Sequence, residues 1–174
     1  MISITSKICI VGDFAVGKTS ITERFVNNHF SEKYLTTVGV KIDTREIECP
    51  DRGIMHKLVI WDVAGSDRFD ATQLAYLRGA SGYVYVADGT RANTLRSLVY
   101  LKEQLSELYD ELPAVALVNK SDLHADWEAN EEHIDVLRAE IGNVFKTSAK
   151  TGDGVERAID KLADRILDDL RQQS

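Results

Sequence analysis

The octapeptide GDFAVGKT, residues 12 to 19, sets two glycines, a lysine and a hydroxyl residue at the spacing G-x-x-x-x-G-K-[ST]. That spacing suits a phosphate ester. Glycines let consecutive backbone N–H groups wrap phosphate oxygens, and a following helix adds the positive potential of its N-terminus. Lys18 then reaches the outer phosphates, and the Thr19 hydroxyl can ligate Mg²⁺. The cradle would comprise Asp13, Phe14, Ala15, Val16, Gly17, Lys18, Thr19 and Ser20. A Gly-rich turn with an unrelated lysine is the plainer alternative, and it loses force when a strand precedes the stretch and a helix follows it.

Two further clusters stand just after apolar runs. KLVIWD ends at Asp62, with Gly65 in the following turn. A carboxylate there can hold Mg²⁺, as the Walker-B aspartate does in P-loop enzymes, and Gly65 can bring a backbone N–H to the terminal phosphate. On its own, an aspartate at a strand end is as well explained as a helix cap or turn residue; beside the phosphate cradle the metal role prevails. NKSD, residues 119 to 122, follows another apolar run. The Asp122 carboxylate can accept two hydrogen bonds from the amino group and ring N–H on one edge of guanine, a pattern adenine does not offer. A polar turn with Asp122 capping a helix is the alternative.

These clusters need a scaffold. KICIVGD (7 to 13), KLVIWD (57 to 62), GYVYVAD (82 to 88), PAVALVNK (113 to 120) and NVFKTSA (143 to 149) read as buried strands rich in branched aliphatics. KTSITERFVNN, RANTLRSLVYLKEQLSELY, EEHIDVLRAEIG and GVERAIDKLADRILDDLRQQ have helical spacing between and after them. In the last, Val155, Ile159, Leu162, Ile166 and Leu170 form one apolar stripe. Residues 38 to 60 differ: two alternating runs flank PDRG at 50 to 53, a hairpin signal. The pattern predicts a single α/β domain over residues 1–174, a six-stranded, mostly parallel sheet with one antiparallel edge strand and helices on both faces. In such sheets ligands bind beyond the carboxyl ends of the strands, where all three clusters fall.

Composition excludes several classes. A net charge of −7 leaves no basic stripe for nucleic acid. Two cysteines, Cys9 and Cys49, are too few for a disulfide framework and point to a reducing, cytoplasmic setting. No apolar run reaches the ~20 residues of a membrane span. The chain ends DDLRQQS and has Ile at position 2, so neither prenylation nor myristoylation has an acceptor here.

Taken together, these motifs resemble a Ras-superfamily small GTPase, closest in texture to the Rab branch, from Lys7 to about Leu170. The resemblance implies a P-loop G domain that binds GTP or GDP with Mg²⁺ and hydrolyses GTP. It assigns Mg²⁺ to Thr19, Thr37 and Asp62, with Thr37 of YLTTVGVKID ligating only when the terminal phosphate is present. Lys18, Thr37, Gly65 and Ser66 take the catalytic positions. Phe30 stands against the base, Tyr34 over the phosphates, and Asn119, Lys120 and Asp122 at guanine, with Ser148, Ala149 and Lys150 of TSAK behind it. The loops from about Phe30 to Lys41 and from Gly65 to about Arg78 would report nucleotide state to effector proteins, an exchange factor and a GTPase-activating protein. Leu35, Val38, Phe69, Leu74 and Tyr76 are candidates for the apolar face those partners read. Rab flavour comes from TTVGVKI and WDVAGSDRF, although Lys41 stands where many Rab proteins have an acid. The absence of tail cysteines implies either a chain shortened at its C-terminus or a protein that acts without a lipid, as Rab-like proteins of prokaryotic type would. A partner would then recruit it to any membrane.

Two departures bear on rate. The family usually has Gln where this chain has Ser66, and a serine hydroxyl is too short to orient water against the terminal phosphate. Phe14 stands where Ras has glycine, and its ring would crowd an incoming arginine. Slow intrinsic hydrolysis is the expectation, with a nearly inactive GTP-bound binding module as one alternative and a P-loop ATPase or nucleotide kinase as another. Asp67 or Asp70 could position water instead of Ser66, although acids at a helix start explain both.

Overall fold

Each run of branched aliphatics forms a strand, and pairing carries some strands beyond the apolar stretch. The computed structural model, which describes residues 1–33, 36–66 and 69–174, contains β1 (Ile2–Val11), β2 (Val40–Cys49), β3 (Ile54–Val63), β4 (Gly82–Asp88), β5 (Ala114–Asn119) and β6 (Asn143–Lys146). Their order is β2-β3-β1-β4-β5-β6, with β2 antiparallel to β3 at one edge and the other pairs parallel. β1 starts five residues before Lys7 because it stays in register with β3 from Ile2↔Ile54 to Ile10↔Asp62. β6 stops at Lys146, short of Ala149, because the Ser148 N–H turns to the Asp153 carbonyl and the Ala149 N–H to Asn119. The hairpin turn at PDRG is a single 3-10 turn, Pro50–Arg52, closed by Gly53 at φ +67°.

The helices are α1 (Lys18–Asn27), α2 (Ala71–Tyr76), α3 (Asn93–Leu108), α4 (Glu131–Ile141) and α5 (Val155–Gln172). α3 and α4 cover one face of the sheet through Leu95, Leu98, Leu101, Ile134 and Leu137. α1 and α5 cover the other through Ile21, Phe25, Ile159, Leu162 and Ile166. Burying one such side chain contributes roughly 1.5–3 kcal/mol, whereas an exposed ion pair such as Arg138–Asp135 contributes less than about 1 kcal/mol. The two apolar layers therefore hold the helices in place. Leu170, at the end of the predicted stripe, is exposed in the last turns of α5, past the last buried residue of that helix, Leu167. The short α2 has too few residues to show a period in the sequence; it is set by a capping box in which Asp70 and Gln73 exchange side-chain-to-backbone hydrogen bonds.

Parallel register brings the chemistry to one rim. Ile10 pairs with Asp62, Val11 with Tyr85, and Asp88 with Asn119, so the carboxyl ends of β1, β3, β4 and β5 place Gly12, Asp62, Asp88 and Asn119 along the same edge.

Candidate functional site

The loop from Gly12 to Gly17 lies on the ends of β4 and β5 with no space to spare. A Cβ on Gly12, whose φ is +152°, would stand 2.2 Å from the Val86 carbonyl oxygen. One on Gly17, at φ +103°, would stand 2.4 Å from Asn119 Nδ2. Both positions therefore require glycine. Three loop carbonyls are held by side chains: Lys18 Nζ donates to Asp13 O at 2.8 Å, Lys120 Nζ to Ala15 O at 3.0 Å, and Asn119 Nδ2 to Val16 O at 3.1 Å. In a planar trans peptide the N–H opposes the C=O, so the N–H groups of Val16 and Gly17 are turned away from these tethers. This is the geometry of an anion cradle at the start of α1. Burial pushes the Lys18 ammonium down to about 8, against the opposing pull of Asp62 and Asp13, and an anion in the cradle would relieve that cost.

Beside it three oxygens converge. Thr19 Oγ1 lies 2.6 Å from Asp62 Oδ2 and 2.5 Å from Thr37 Oγ1, and Thr37 Oγ1 lies 3.2 Å from the same carboxylate oxygen. Asp62 is fully buried, and its Oδ1 has no hydrogen-bond partner among the described residues. Burial raises the Asp62 carboxyl above its ordinary value, with Thr19 and Lys18 pulling it back. A buried carboxylate with an unsatisfied oxygen, flanked by two hydroxyls, fits a small hard cation such as Mg²⁺. Among the described residues no cluster of three His, Cys, Asp or Glu side chains could hold a metal, so the hydroxyls are essential to this set.

Gly65 closes the phosphate end. A Cβ there would meet the Phe14 Cα at 2.6 Å and the Asp13 carbonyl oxygen at 2.9 Å, so only glycine lets this loop press on the cradle. The Ser66 N–H donates to the Gly12 carbonyl at 3.1 Å, placing Ser66 directly over the loop. The Asp13 side chain takes a different part from phosphate contact: its Oδ2 accepts from Ser97 Oγ of α3 at 2.7 Å. Ser20 lines both the phosphate end and the cavity beyond it.

That cavity, about 290 Å³, is lined by Phe30, Asn119, Lys120, Asp122, Ala149 and Lys150. Asn119 Oδ1 accepts from Thr147 Oγ1 at 3.1 Å and from the Ala149 N–H at 3.2 Å, while Ser148 Oγ holds Asp122 Oδ1 at 2.8 Å. Phe30 is half-buried, packing on the α1–α5 layer while facing the cavity. A cavity with the Phe30 ring on its lining and the Asp122 carboxylate at its edge suits a purine base with two donors on one edge.

The structure brings together Asp13 to Ser20, Phe30, Thr37, Asp62, Gly65, Ser66, Asn119, Lys120, Asp122 and Ser148 to Lys150. Tyr34, Leu35 and Asp67 lie outside the described residues. Of the apolar candidates for a partner face, Val38 is exposed, Leu74 and Tyr76 are half-buried, and Phe69 is buried in the core against α3, so Phe69 belongs to packing. Asp70 is the cap of α2, and its carboxylate is committed to the Gln73 N–H at 2.8 Å.

Sequence reading passed over four supporting residues. Asp88 ends β4 and binds Lys120 Nζ at 2.9 Å; the strand-end rule that selects Asp62 and Asn119 applies to it equally. Thr147 orients Asn119. Arg24 of α1 donates to the carbonyls of Ala149 and Lys150 at 2.8 and 2.5 Å, holding the loop that lines the cavity, and nothing in the spacing of Arg24 signals that role. Arg91 reaches the cradle from the turn before α3.

The chain matches the Ras family over residues 7–168. It is 33% identical over 175 residues to the Ras-related protein Rab-32C of Dictyostelium discoideum, covering 98% of this chain and 77% of that protein. It is 36% identical over 172 residues to Ras-related protein Rab-25 of Canis lupus familiaris, covering 96% and 78%. Human Ras-related protein Rab-32 is 33% identical over 168 residues, covering 92% and 74%.

Proposed function

Because this chain belongs to the Ras family, as a Rab-like small GTPase that binds GTP and GDP with Mg²⁺, we propose that it is a guanine-nucleotide switch whose own hydrolysis is slow. The convergence of Thr19, Thr37 and Asp62 carries the switching half of this reading. Thr37 comes from the loop before β2, Thr19 from α1 and Asp62 from β3, so a ligand that organises these oxygens also fixes the loop. Thr19, Thr37 and Asp62 would hold the Mg²⁺, which would supply positive charge against the charge that develops on the phosphates. Lys18 and the cradle N–H groups hold those phosphates, and Gly65 offers its N–H at the terminal one. Loss of that phosphate releases the Thr37 and Gly65 loops, and effectors, exchange factors and activators read the difference.

Ser66 carries the slow half. Its backbone is anchored over the cradle at Gly12, where the family's glutamine would place an amide on the attacking water, and the serine side chain falls short of it. The Phe14 side chain, more than half exposed at the same rim, narrows the approach for an arginine supplied by an activator. The same serine supports a second reading, a binding module that stays loaded with GTP. The nucleotide retained by the purified chain, identified by anion-exchange chromatography, separates the two: GDP supports the switch, GTP the stalled module, and adenine nucleotides contradict both. Among the described residues no helix is long and apolar enough to cross a membrane.

A further inference from the structure

The cradle is tied on its outer side by one group that guanine recognition does not explain. Arg91 Nη2 donates to the Phe14 carbonyl at 2.9 Å, and Arg91 Nε lies 3.1 Å from Asp88 Oδ2. The same carboxylate oxygen takes Lys120 Nζ at 2.9 Å, and that ammonium also donates to the Ala15 carbonyl at 3.0 Å. Two neighbouring carbonyls of the loop are thus each held by a cation, and the two cations share one buried oxygen. Asp88 Oδ1 is occupied by the N–H and hydroxyl of Thr90 at 2.9 and 2.7 Å, which fixes the carboxylate plane so that Oδ2 faces both cations. Burial would raise the Asp88 carboxyl, but the hydrogen bonds from Thr90 and Lys120 reverse this and lower it, so the bridge stays charged.

Resting on the guanine-nucleotide reading above, we infer that Arg91 is a positioning residue for the phosphate site. It fixes the peptide between Phe14 and Ala15 and thereby aims the Ala15 N–H into the cradle, since that N–H opposes the Phe14 carbonyl across a planar trans bond. Ala15 itself holds φ at +64°, a left-handed conformation uncommon for a residue with a Cβ, which a constraint from its neighbours helps to hold. Arg91 and Lys120 grip the carbonyls on either side of that residue and supply the constraint. Through Asp88 they also join the phosphate loop to the NKSD loop, so the two ends of the nucleotide site move as one body. Arg91 is 40% exposed, so its ion pair adds little to overall stability. Its effect is local and directional.

The test uses the full chain loaded with GDP, comparing wild type with Arg91→Ala and Arg91→Lys. Two quantities are read: the ¹⁵N–¹H resonance of Ala15, and the release rate of a fluorescent GDP analogue. Arg91→Ala moves the Ala15 amide proton upfield as its bond to phosphate weakens, and release accelerates about tenfold, the scale of one lost charged hydrogen bond. Arg91→Lys keeps the charge without the planar fork and gives an intermediate effect. If Arg91→Ala does not fold, the intermediate shift of Arg91→Lys decides. An unchanged Ala15 resonance and unchanged release, even with a lowered melting temperature, reduce Arg91 to a surface ion pair and overturn the inference while the functional reading stands. Wild-type protein that fails to retain GDP refutes the functional reading itself.

Discussion

Asp62 and Asp122 are both aspartates just past apolar runs, and their surroundings give them opposite tasks. Asp62 is fully buried between two threonine hydroxyls and keeps one oxygen without a partner, which calls for a cation. Asp122 is half-buried, steadied by Ser148, and borders a cavity sized for a base. Asp122→Asn replaces an acceptor with a donor against a guanine edge that itself offers donors. GDP affinity then falls by about 2–3 kcal/mol, and xanthosine diphosphate, which carries a carbonyl in place of the amino group, gains on it. Competition against a fluorescent nucleotide measures both, and unchanged GDP affinity removes Asp122 from the base. The turns at Gly12, Gly17 and Gly65 left a mark in the sequence because a Cβ there would meet neighbouring atoms at 2.2, 2.4 and 2.6 Å, which only glycine avoids. Arg24 and Arg91 were not legible, because they act on backbone carbonyls, and a carbonyl leaves no trace of its partner in residue type.

At the scale of elements, the alternation along β3 decides which residues join the α1–α5 layer and which join the α3–α4 layer. His56, Leu58, Ile60 and Asp62 share one buried face, and the last of them reaches the Thr19 and Thr37 hydroxyls at the rim. His56 has its Nε2 2.8 Å from Ser6 Oγ, while its Nδ1 is buried without a partner among the described residues. Burial holds its pKa below the ordinary 6.5, although Asp164 of α5 pulls it upward. The unfolded chain therefore binds more protons than the folded one as pH falls below about 6.5. This stabilising contribution is complete above 6.5 and is lost as pH drops from there through the folded value. Urea unfolding of wild type and His56→Gln between pH 7.5 and 5 checks the sign: the variant loses less stability over that range, and parallel curves for the two proteins contradict it. Strand identity was readable from apolar runs, but strand ends were not. β1 and β3 extend each other by pairing, which local composition does not encode, and α2 is too short for periodicity and rests on a cap.

For the whole molecule, register and layer packing do most of what the nucleotide site needs. Two apolar layers fix a sheet whose parallel strand ends gather cradle, cation set and base cavity on one rim, and the loops bearing Thr37 and Gly65 are left to be organised by what binds there. Fold class follows from motif and period. The lifetime of the GTP-bound form does not; our proposal is that it turns on one side chain, Ser66, whose backbone sits over Gly12. Single-turnover hydrolysis of bound GTP at saturating Mg²⁺, in wild type and Ser66→Gln, tests this directly. The account predicts slow wild-type turnover and at least about tenfold acceleration in the variant, the scale of one restored transition-state contact. Equal rates in the two proteins would contradict it.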